Sequence, residues 1–315
     1  MTSNQLCQVM CLGEAMMELS FGGEIAGGAS VSFAGDTLNT AVYLKRCIGS
    51  KGDVAFVSAV GTDAYSQAML DKISGENILT EHVCRLAGRL PGIYGISIDE
   101  DGERSFHYWR ENSAARALFQ DPELLPWEAL GSADLLYYSG ITLALMSVEV
   151  RQLFFRWLET ARLESELQVA FDTNFRPALW PSAEAAAEVI EAAWQRSDIA
   201  LPSLEDEMTV FGENGPEDVL ARLRGYGLLR GVLKCGLRGA IPIEPNAPTP
   251  TLKPVKDVVD TTAAGDSFNG AYLAYTLTGA SHAEAISAGH TCAGKVIGKR
   301  GAIVTFDDEG KDRSG

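Results

Sequence analysis

The chain has 315 residues, of which 46% are apolar and 22% charged, as is usual for a globular protein long enough to bury a large core. Its formal net charge of −16 argues against nucleic acid or an anionic membrane as a partner. An anionic small-molecule substrate would therefore need a local cluster of basic side chains to overcome the overall repulsion.

Strand-like and helix-like segments alternate along most of the chain. Short apolar runs predict strands at residues 9–12, 54–60, 135–139, 169–171, 199–202 and 231–234. Helical spacing of apolar residues predicts helices at residues 39–47, 64–74, 148–163 and 183–196. This rhythm favours an α/β fold with a mostly parallel central sheet and helices on both faces, built as one domain over residues 1–315.

Two regions break the rhythm. Residues 92–98 and 104–109 alternate with period two around a turn at 99–102, which predicts a β-hairpin. The Gly- and Ser-rich stretch at 18–33 could add further antiparallel strands. We therefore predict a small β-lid, formed by segments 18–33 and 92–110, over one edge of the α/β body. The residues after Thr305 are expected to be a poorly ordered terminus.

The cysteines and the chain start bear on the compartment. No two of the six cysteines show metal-ligand spacing, so we expect buried or half-buried thiols, no disulfides and a reducing environment. None of the four histidines has neighbours that suggest a metal site or a catalytic triad. No apolar run approaches the ~20 residues that span a bilayer, and the N-terminal residues do not resemble a signal peptide. We expect a cytoplasmic protein.

The strongest motif is the run of small residues at 260–266, which reads DTTAAGD and precedes a helical pattern. Small residues let the backbone approach a ligand closely, and the N–H groups at a helix start favour an anion. Asp266 lies in the first turn, where its carboxylate could accept the proton of an attacking hydroxyl. On composition alone, a small-residue loop with an ordinary acidic residue at the helix start is equally compatible with the motif.

A second phosphate-binding pattern is rejected. Residues 289–295 read GHTCAGK and fit Gly-x4-Gly-Lys, but Val296 stands where a P-loop needs Ser or Thr for magnesium. The pattern also follows a helical segment rather than a strand. We interpret it as part of a C-terminal helix that packs beside the adenine of a nucleotide.

Five ordered motifs resemble those of the ribokinase-like, or phosphofructokinase-B type, carbohydrate kinases. Residues 260–270 (DTTAAGDSFNG) are similar to the second signature of that family, and residues 33–41 (FAGDTLNTA) to the first, with Ala34 in place of a frequent Gly. Shorter matches lie at 13–18, 60–63 and 236–239, so the resemblance covers nearly the whole chain. It implies a ribokinase-like fold and ATP-dependent phosphorylation of a sugar hydroxyl, with Mg²⁺ as a cofactor.

The resemblance also implies roles at the phosphate end of the site. Asp266 would be the catalytic base, and the amides of Ala263, Ala264 and Gly265 would form an anion hole for the transferred phosphoryl group. The residues expected at ATP are Ser203, Lys234, Gly236, Gly239, Gly265, Asn269 and His290. Asp206 would help to hold Mg²⁺, and Asp260 and Thr262 match positions that bind a monovalent cation such as K⁺ in some relatives. Lys234, Ser203 and Asp206 depart from the family pattern, which often has Thr at the first position and Asn-x-x-Glu at the other two.

At the substrate end, a pair of arginines points to an acid. Tyr108 and Arg110 are two apart on the returning strand of the predicted hairpin and so share a face. Arg176 follows the predicted strand 169–171, at the carboxyl end of the sheet, where open α/β folds bind ligands. Arg110 and Arg176 would form a fork for a carboxylate. With the residues that match the family, the predicted substrate contacts are Glu18, Gly35, Asp36, Asn39, Tyr94, Tyr108, Arg110, Arg176 and Asp266.

Within the family, the motifs FAGDTLN, YWRENSA and DTNFRPALW are most similar to those of kinases that phosphorylate the terminal hydroxyl of 2-keto-3-deoxygluconate. A neutral sugar such as fructose or ribose explains the phosphate end equally well but leaves the two arginines without a partner. A non-catalytic sugar-acid sensor on the same fold would have no need of Asp266, and no Gly-x-Gly-x-x-Gly follows a strand as a nicotinamide dehydrogenase requires. The exposed edge of the lid could pair with a second copy, which suggests a homodimer.

Overall fold

Two sheets organise the part of the chain that the computed structural model describes, which is residues 7–21, 28–98, 104–255 and 257–306. The strands in these ranges are β1 (Cys7–Leu12), β2 (Met16–Phe21), β3 (Ala29–Ala34), β4 (Gly52–Val60), β5 (Val83–Arg85), β6 (Gly92–Ile98), β7 (Arg104–Trp109), β8 (Leu135–Ser139), β9 (Gln168–Asp172), β10 (Ile199–Ala200), β11 (Arg230–Lys234) and β12 (Ala240–Pro242). The α-helices in these ranges are α1 (Asp36–Ile48), α2 (Ala64–Gly75), α3 (Ala114–Leu118), α4 (Trp127–Gly131), α5 (Gly140–Leu145), α6 (Val148–Glu164), α7 (Ala183–Trp194), α8 (Leu204–Phe211), α9 (Pro216–Gly225), α10 (Ala264–Leu277) and α11 (His282–Ile297). Short 3-10 helices lie at Gly49–Lys51, Pro122–Leu124, Pro177–Leu179 and Gly236–Arg238.

The larger sheet has the strand order β12-β11-β10-β9-β8-β1-β4-β5. Its neighbours are parallel except for β12, which is antiparallel to β11. Successive side chains of β8 enter different apolar clusters: Leu136 joins Phe154 of α6 and Trp194 of α7, whereas Leu135 joins Tyr272 of α10. Because adjacent residues of a strand point to opposite faces, the sheet is covered by helices on both sides. The predicted mostly parallel α/β fold is confirmed.

Helices α1 and α10 approach each other closely enough to require a glycine. A Cβ atom on Gly270 would lie 2.6 Å from the carbonyl oxygen of Thr40 and 2.7 Å from the amide nitrogen of Leu44. Backbone atoms cannot move aside as a flexible side chain can, so only glycine fits here. This contact brings the start of α10, with Asp266, beside the start of α1, with Asn39.

The smaller sheet forms the lid, with the strand order β3-β2-β6-β7. The hairpin strands β6 and β7 have the predicted bounds and pair antiparallel, from Ile93 opposite Trp109 onward; the predicted turn at 99–102 lies outside the described residues. The Gly- and Ser-rich stretch supplies β2 and β3, which pair antiparallel. Both strands extend beyond the predicted 18–33, and residues 22–27 lie outside the description. The chain is described as far as Phe306, so the prediction of a poorly ordered terminus also falls mostly outside it.

Several element boundaries differ from the prediction. The predicted strand 199–202 is reduced to the two residues of β10, since Pro202 has no N–H to donate to the ladder. The predicted helix 39–47 begins earlier, at Asp36. The short strands β5 and β12 and the helices α3 to α5, α8 and α9 were not predicted, because each has too few residues to show a clear period.

One cysteine prediction is wrong. Cys11, Cys235 and Cys292 are buried and Cys7 and Cys84 partly buried, as expected, but Cys47 is exposed near the end of α1. All six are free thiols. Among the described residues, no helix is both long enough and apolar enough to cross a membrane.

Candidate active site

A cleft of about 1580 Å³ lies between the lid and the carboxyl ends of the parallel strands. It brings together most of the residues that the sequence predicted for the site: Gly35, Asp36, Asn39, Tyr94, Tyr108, Arg110, Arg176, Ser203, Asp206, Lys234, Gly236, Asp260, Thr262, Ala263, Ala264, Gly265 and Asp266. Four predicted residues, Glu18, Gly239, Asn269 and His290, are not part of its lining. The side chains of Glu18, Asn269 and His290 instead contact other parts of the protein.

Asp266 lies in the first turn of α10 and faces the cleft. The side-chain amide of Asn39 donates a hydrogen bond of 2.9 Å to its Oδ2 atom. Burial, and next the negative charge of Asp36, raise the pKa of Asp266 to about 7, although the Asn39 bond opposes this. A carboxylate with a pKa near 7 can take a proton at neutral pH and release it again, as a general base requires.

The loop before α10 offers backbone donors to an anion. Ala263 has a left-handed conformation with φ of 58° at the N-cap, so the chain turns sharply into the helix. The Ala264 amide already donates to the carbonyl oxygen of Thr261 at 3.2 Å. Within the described residues, no backbone acceptor is recorded for the amides of Ala263 and Gly265. These two are therefore the stronger candidates for the predicted anion hole.

Lys234 brings a positive charge to the same place. Its Nζ atom lies 3.5 Å from the position that a Cβ atom on Gly265 would occupy. The ammonium donates to Asp172 Oδ2 at 2.7 Å and to Asn269 Oδ1 at 3.0 Å. Asn269 is fully buried and also donates to Asp172 at 2.6 Å. Asn269 therefore positions Lys234 and Asp172 from behind, which explains why it does not line the cleft.

Two polar residues at the start of α1 face the substrate end of the cleft. Asp36 accepts a hydrogen bond from the Ser139 hydroxyl, and its Oδ2 accepts another from the amide of Asn174 at 3.1 Å. Burial raises the pKa of Asp36, although the Ser139 bond acts in the opposite direction. Asp36 and Asn39 thus present polar groups to this part of the cleft, and their contacts with sugar hydroxyls stay a prediction.

Gly35 approaches the protein backbone itself. A Cβ atom at Gly35 would lie 2.1 Å from the carbonyl oxygen of Glu14. The sequence analysis expected the missing side chain to let the backbone come close to the substrate. The structure shows a nearer constraint, namely the packing of the start of α1 against the segment between β1 and β2.

Arg110 is paired with a residue that sequence reasoning did not assign. Its guanidinium forms a salt bridge with Glu14, and both side chains are buried. Glu14 Oε1 also accepts a hydrogen bond from the Ser113 hydroxyl, while burial raises the pKa of Glu14. The only signal in the sequence was the position of Glu14 in the motif at 13–18. Arg110 is therefore not a free half of a carboxylate fork, because its charge is already compensated.

Arg176 is the second predicted arginine and is exposed to the cleft. Its Nη1 atom donates to the Phe175 carbonyl oxygen at 2.9 Å, and within the described residues no salt bridge is recorded for it. Its positive charge acts to lower the pKa of Asp36 and of Asp206, so it influences carboxylates at both ends of the cleft. Arg116, which the sequence analysis did not single out, also lines the cleft.

The lid contributes an aromatic wall. Tyr94 and Tyr108 have ring centroids 5.8 Å apart, and Phe106, a residue not predicted, packs beside Tyr94 at 6.3 Å. The Tyr94 hydroxyl donates to Glu18, whose other oxygen accepts from Ser32 at 2.9 Å. Glu18 is therefore placed behind Tyr94 and orients it, rather than lining the cleft.

Asp206 is the residue predicted to help to hold a metal ion at the nucleotide end of the cleft. Asp206, in the first turn of α8, accepts a hydrogen bond of 3.1 Å from the backbone amide of Phe175. Burial, and next the charge of Asp172, raise the pKa of Asp206 to about 6. No group of three or more potential metal-ligating side chains occurs among the described residues. Mg²⁺ is commonly held by one or two carboxylates together with nucleotide phosphates and water, and Asp206 offers one such carboxylate to the cleft.

Two further predictions concern residues around the cleft. Both carboxylate oxygens of Asp260 accept backbone N–H bonds, from Thr262 at 3.0 Å and from Gly301 at 2.8 Å. The predicted monovalent cation site there stays a prediction. His290 Nε2 lies 2.6 Å from the Lys253 carbonyl oxygen, so this side chain contacts the segment before α10.

Comparison with known proteins agrees with this geometry. The model of the pfkB family of carbohydrate kinases matches residues 7–309. The chain is 40% identical to the 2-dehydro-3-deoxygluconokinase of Escherichia coli (strain K12) over 303 residues, covering 94% of this chain and 97% of that one. It is 38% identical to the protein of the same name from Dickeya dadantii, covering 95% and 97%. The solved structure of the 2-dehydro-3-deoxygluconokinase of Thermotoga maritima superimposes with a TM-score of 0.84 at 22% identity and covers 96% of each chain.

Proposed function

The chain belongs to the pfkB family of carbohydrate kinases, and we propose that it transfers the γ-phosphoryl group of ATP to the terminal hydroxyl of 2-keto-3-deoxygluconate, also called 2-dehydro-3-deoxygluconate. The observation that carries the proposal is the joint position of Asp266 and Arg176 on one cleft. Asp266 supports phosphoryl transfer, and Arg176 supports an acidic acceptor. Relatives of that name match almost the whole chain.

The chemistry follows from the contacts around Asp266. The substrate hydroxyl would approach Asp266, whose carboxylate accepts the proton as the oxygen attacks phosphorus. Asn39 holds the carboxylate in place. The amides of Ala263 and Gly265 and the ammonium of Lys234 would stabilise the negative charge on the phosphoryl group. Donors aimed in advance at such a charge contribute a few kcal/mol, about 3, to the transition state.

We further propose that Mg²⁺ accompanies the nucleotide and that Asp206 is its protein ligand, with Ser203 and Gly236 at the phosphates. Bound with ATP, the ion would neutralise phosphate charge. The lining of the cleft supports a cation, because carboxylates there outnumber basic side chains. An ATP-dependent enzyme of this kind would act in the cytoplasm, where ATP is available.

A neutral sugar is the second candidate, and one observation favours it. Glu14 compensates the charge of Arg110, so the substrate end carries less positive charge than two free arginines would give. A kinase for fructose or ribose would need no net charge there. Arg176, for which no salt bridge is recorded among the described residues, is the feature that makes the acid the better choice.

A single coupled assay separates these candidates. ATP turnover would be measured with 2-keto-3-deoxygluconate, fructose and ribose side by side, at the same enzyme and magnesium concentrations. We expect turnover with the sugar acid and at most weak turnover with the neutral sugars. Turnover of fructose without turnover of the acid would overturn the substrate assignment, while sugar-acid binding without turnover of any sugar would indicate a sensor.

We also propose a homodimer through the lid. The face of the lid sheet that points away from Tyr94 carries exposed apolar side chains, with Val31 57% and Trp109 63% exposed. The strand register places Leu19 and Phe33 on the same face. An exposed apolar sheet face of this kind is typical of a protein interface. Light scattering of the wild type and of a Trp109→Glu variant would test it: a monomeric wild type contradicts the proposal.

A further inference from the structure

A pair of thiols lies outside the cleft, between helices α1 and α11. Cys47 is exposed near the end of α1, and Cys292 is buried on α11. The two side chains lie next to each other. None of the steps proposed for phosphoryl transfer uses either residue, and neither lines the cleft.

The packing around the pair is specific. Tyr43 lies one helical turn before Cys47 and packs with Cys292, Ala271 and Val296 in one apolar cluster. Residues four apart share a face of a helix, so the face of α1 with Tyr43 and Cys47 rests on α11 at Cys292. The neighbouring Arg46 is fixed by two hydrogen bonds to Glu76, at 2.8 and 2.9 Å. Both thiols therefore lie on helices, beside a packed apolar cluster, rather than on a loop.

We propose that Cys47 and Cys292 form a site of reversible oxidation, in which a peroxide converts the two thiols into a disulfide. Cys47 is the attacking residue because it is accessible, and Cys292 is the resolving residue because it lies buried against it. Accessible thiols that are poised next to a second cysteine are typical of redox-sensitive sites. Disulfides of this transient kind are the ones found in reducing compartments.

The electrostatic surroundings agree with these roles. Contact with Cys292, together with the positive charge of Arg46, lowers the pKa of the Cys47 thiol, although partial desolvation of that thiol opposes this. The same contact and burial raise the pKa of Cys292. The thiolate is the nucleophilic form of cysteine, so Cys47 is the more reactive of the two.

The reaction balances with a peroxide as the oxidant. The Cys47 thiolate attacks one oxygen of hydrogen peroxide, the O–O bond breaks, and the departing hydroxide takes up a proton to give water and a sulfenic acid on Cys47. The Cys292 sulfur then attacks the Cys47 sulfur, the S–O bond breaks, and a second water leaves. Two thiols and one peroxide thus give one disulfide and two waters.

The test is peptide mapping of the full-length protein after treatment with a small excess of hydrogen peroxide and quenching of remaining thiols. We expect the intact mass to fall by about 2 Da and the peptides with Cys47 and Cys292 to become linked, with full reversal by dithiothreitol. Cys47→Ser should abolish the linkage. Cys292→Ser should leave a sulfenic acid on Cys47 that a dimedone probe traps.

A matched control is Cys84→Ser, which removes a partly buried thiol outside the pair and should leave the linkage intact. The proposal is overturned if wild-type Cys47 accumulates as a sulfenic acid without linking to Cys292, or if other cysteines react while Cys47 does not. Because the readout is covalent linkage and not turnover, it is independent of the proposed kinase activity.

Discussion

The carboxylate of Glu14 pairs with the guanidinium of Arg110 at the base of the lid. Glu14 lies where the chain leaves β1 for the lid, and Arg110 where it returns from β7. A Cβ atom at Gly92, where β6 begins, would lie 2.9 Å from Glu14 Oε1. The pair therefore joins three of the points at which the chain passes between the body and the lid. Because Glu14 compensates the charge of Arg110, Arg176 is the stronger source of positive charge of the two arginines in the cleft.

Replacing Arg176 should impair recognition of the acid selectively. In Arg176→Ala we expect the KM for 2-keto-3-deoxygluconate to rise at least ~10-fold, because a charge-assisted hydrogen bond to a carboxylate contributes about 1.5–3 kcal/mol. The KM for ATP should change little. Steady-state kinetics with the acid and with a neutral analogue would check this. Arg238→Ala, which removes another exposed basic side chain of the cleft, is the control; an equal loss with the neutral analogue would refute carboxylate recognition.

Replacing Arg110 alone should destabilise the fold. Arg110→Met leaves the Glu14 carboxylate buried without its counter-ion, and breaking a buried pair in this way costs about 3–5 kcal/mol in the free energy of unfolding. The double variant Glu14→Gln/Arg110→Met should recover part of that loss. Urea unfolding followed by tryptophan fluorescence would measure both.

The control for these three variants is Lys72→Met, which breaks the ion pair of the exposed Lys72 with Glu76. We expect it to change the free energy of unfolding by less than about 1 kcal/mol. Additive losses for Glu14→Gln and Arg110→Met, with no recovery in the double variant, would show that the two side chains do not stabilise the fold as a pair.

Asp266 should oppose stability while it supports catalysis. Its pKa is raised from 3.8 to about 7 in the folded protein, so folding favours the protonated form. The stabilising effect of the protonated form is fully present below pH ~4 and is lost as the pH rises through ~7. In Asp266→Asn we therefore expect kcat to fall by several orders of magnitude, and the free energy of unfolding at pH 8 to rise by on the order of 2 kcal/mol.

Unfolding of wild type and Asp266→Asn at pH 8 and pH 5 would measure this effect. The difference between the two proteins should shrink toward the lower pH. A stability difference that does not depend on pH would contradict the raised pKa of Asp266, and a near-normal kcat would remove its assignment as the base.

The pH dependence of turnover should report the same carboxylate. We expect kcat/KM for the sugar to increase with pH through about 7, as Asp266 loses its proton. The hydrogen bond from Asn39 acts to lower the pKa of Asp266, so in Asn39→Ala the rise in kcat/KM should move to higher pH. Profiles of kcat/KM against pH would show the shift. Asn112→Ala, which removes an exposed amide of the same cleft, should leave the midpoint in place.

Gly35 should tolerate no side chain. In Gly35→Ala the new Cβ atom would lie 2.1 Å from the Glu14 carbonyl oxygen, so the start of α1 must shift away from the lid base. We expect a loss of about 2 kcal/mol in the free energy of unfolding and a higher KM for the sugar. Gly75→Ala is the control, since a Cβ atom there has nothing within 4 Å. Equal thermal stability of the two variants would contradict the close packing at Gly35.

Much of the fold was predictable because its signals are local. The alternation of short apolar runs with helical patterns predicted the parallel sheet, and the period-two pattern at 92–98 and 104–109 predicted β6 and β7 with their observed bounds. The phosphate end was predictable for a similar reason. Residues 260–266 form one continuous segment, so their spacing already placed Asp266 in the first turn of a helix beside backbone donors.

The sequence was less informative where a residue acts through a distant partner. Asn269 and Glu18 carry the right chemistry for a ligand, yet one positions Lys234 and Asp172 and the other orients Tyr94. No pattern of neighbouring residues reveals such contacts, because the partners come from other strands and helices. For Gly35 the sequence predicted a close approach, but only the structure shows that the Glu14 carbonyl is one of its close neighbours.

The sequence by itself therefore determined the fold type, the segment proposed for phosphoryl transfer and the presence of two arginines at the cleft. Only the tertiary structure decided how those arginines differ. Arg110 meets Glu14 because the lid leaves the body and returns to it at one place, whereas Arg176 follows β9 and faces the cleft. The physical reason is that the free energy of a charge depends on its burial and its counter-ion, and both are set by residues far apart in the chain.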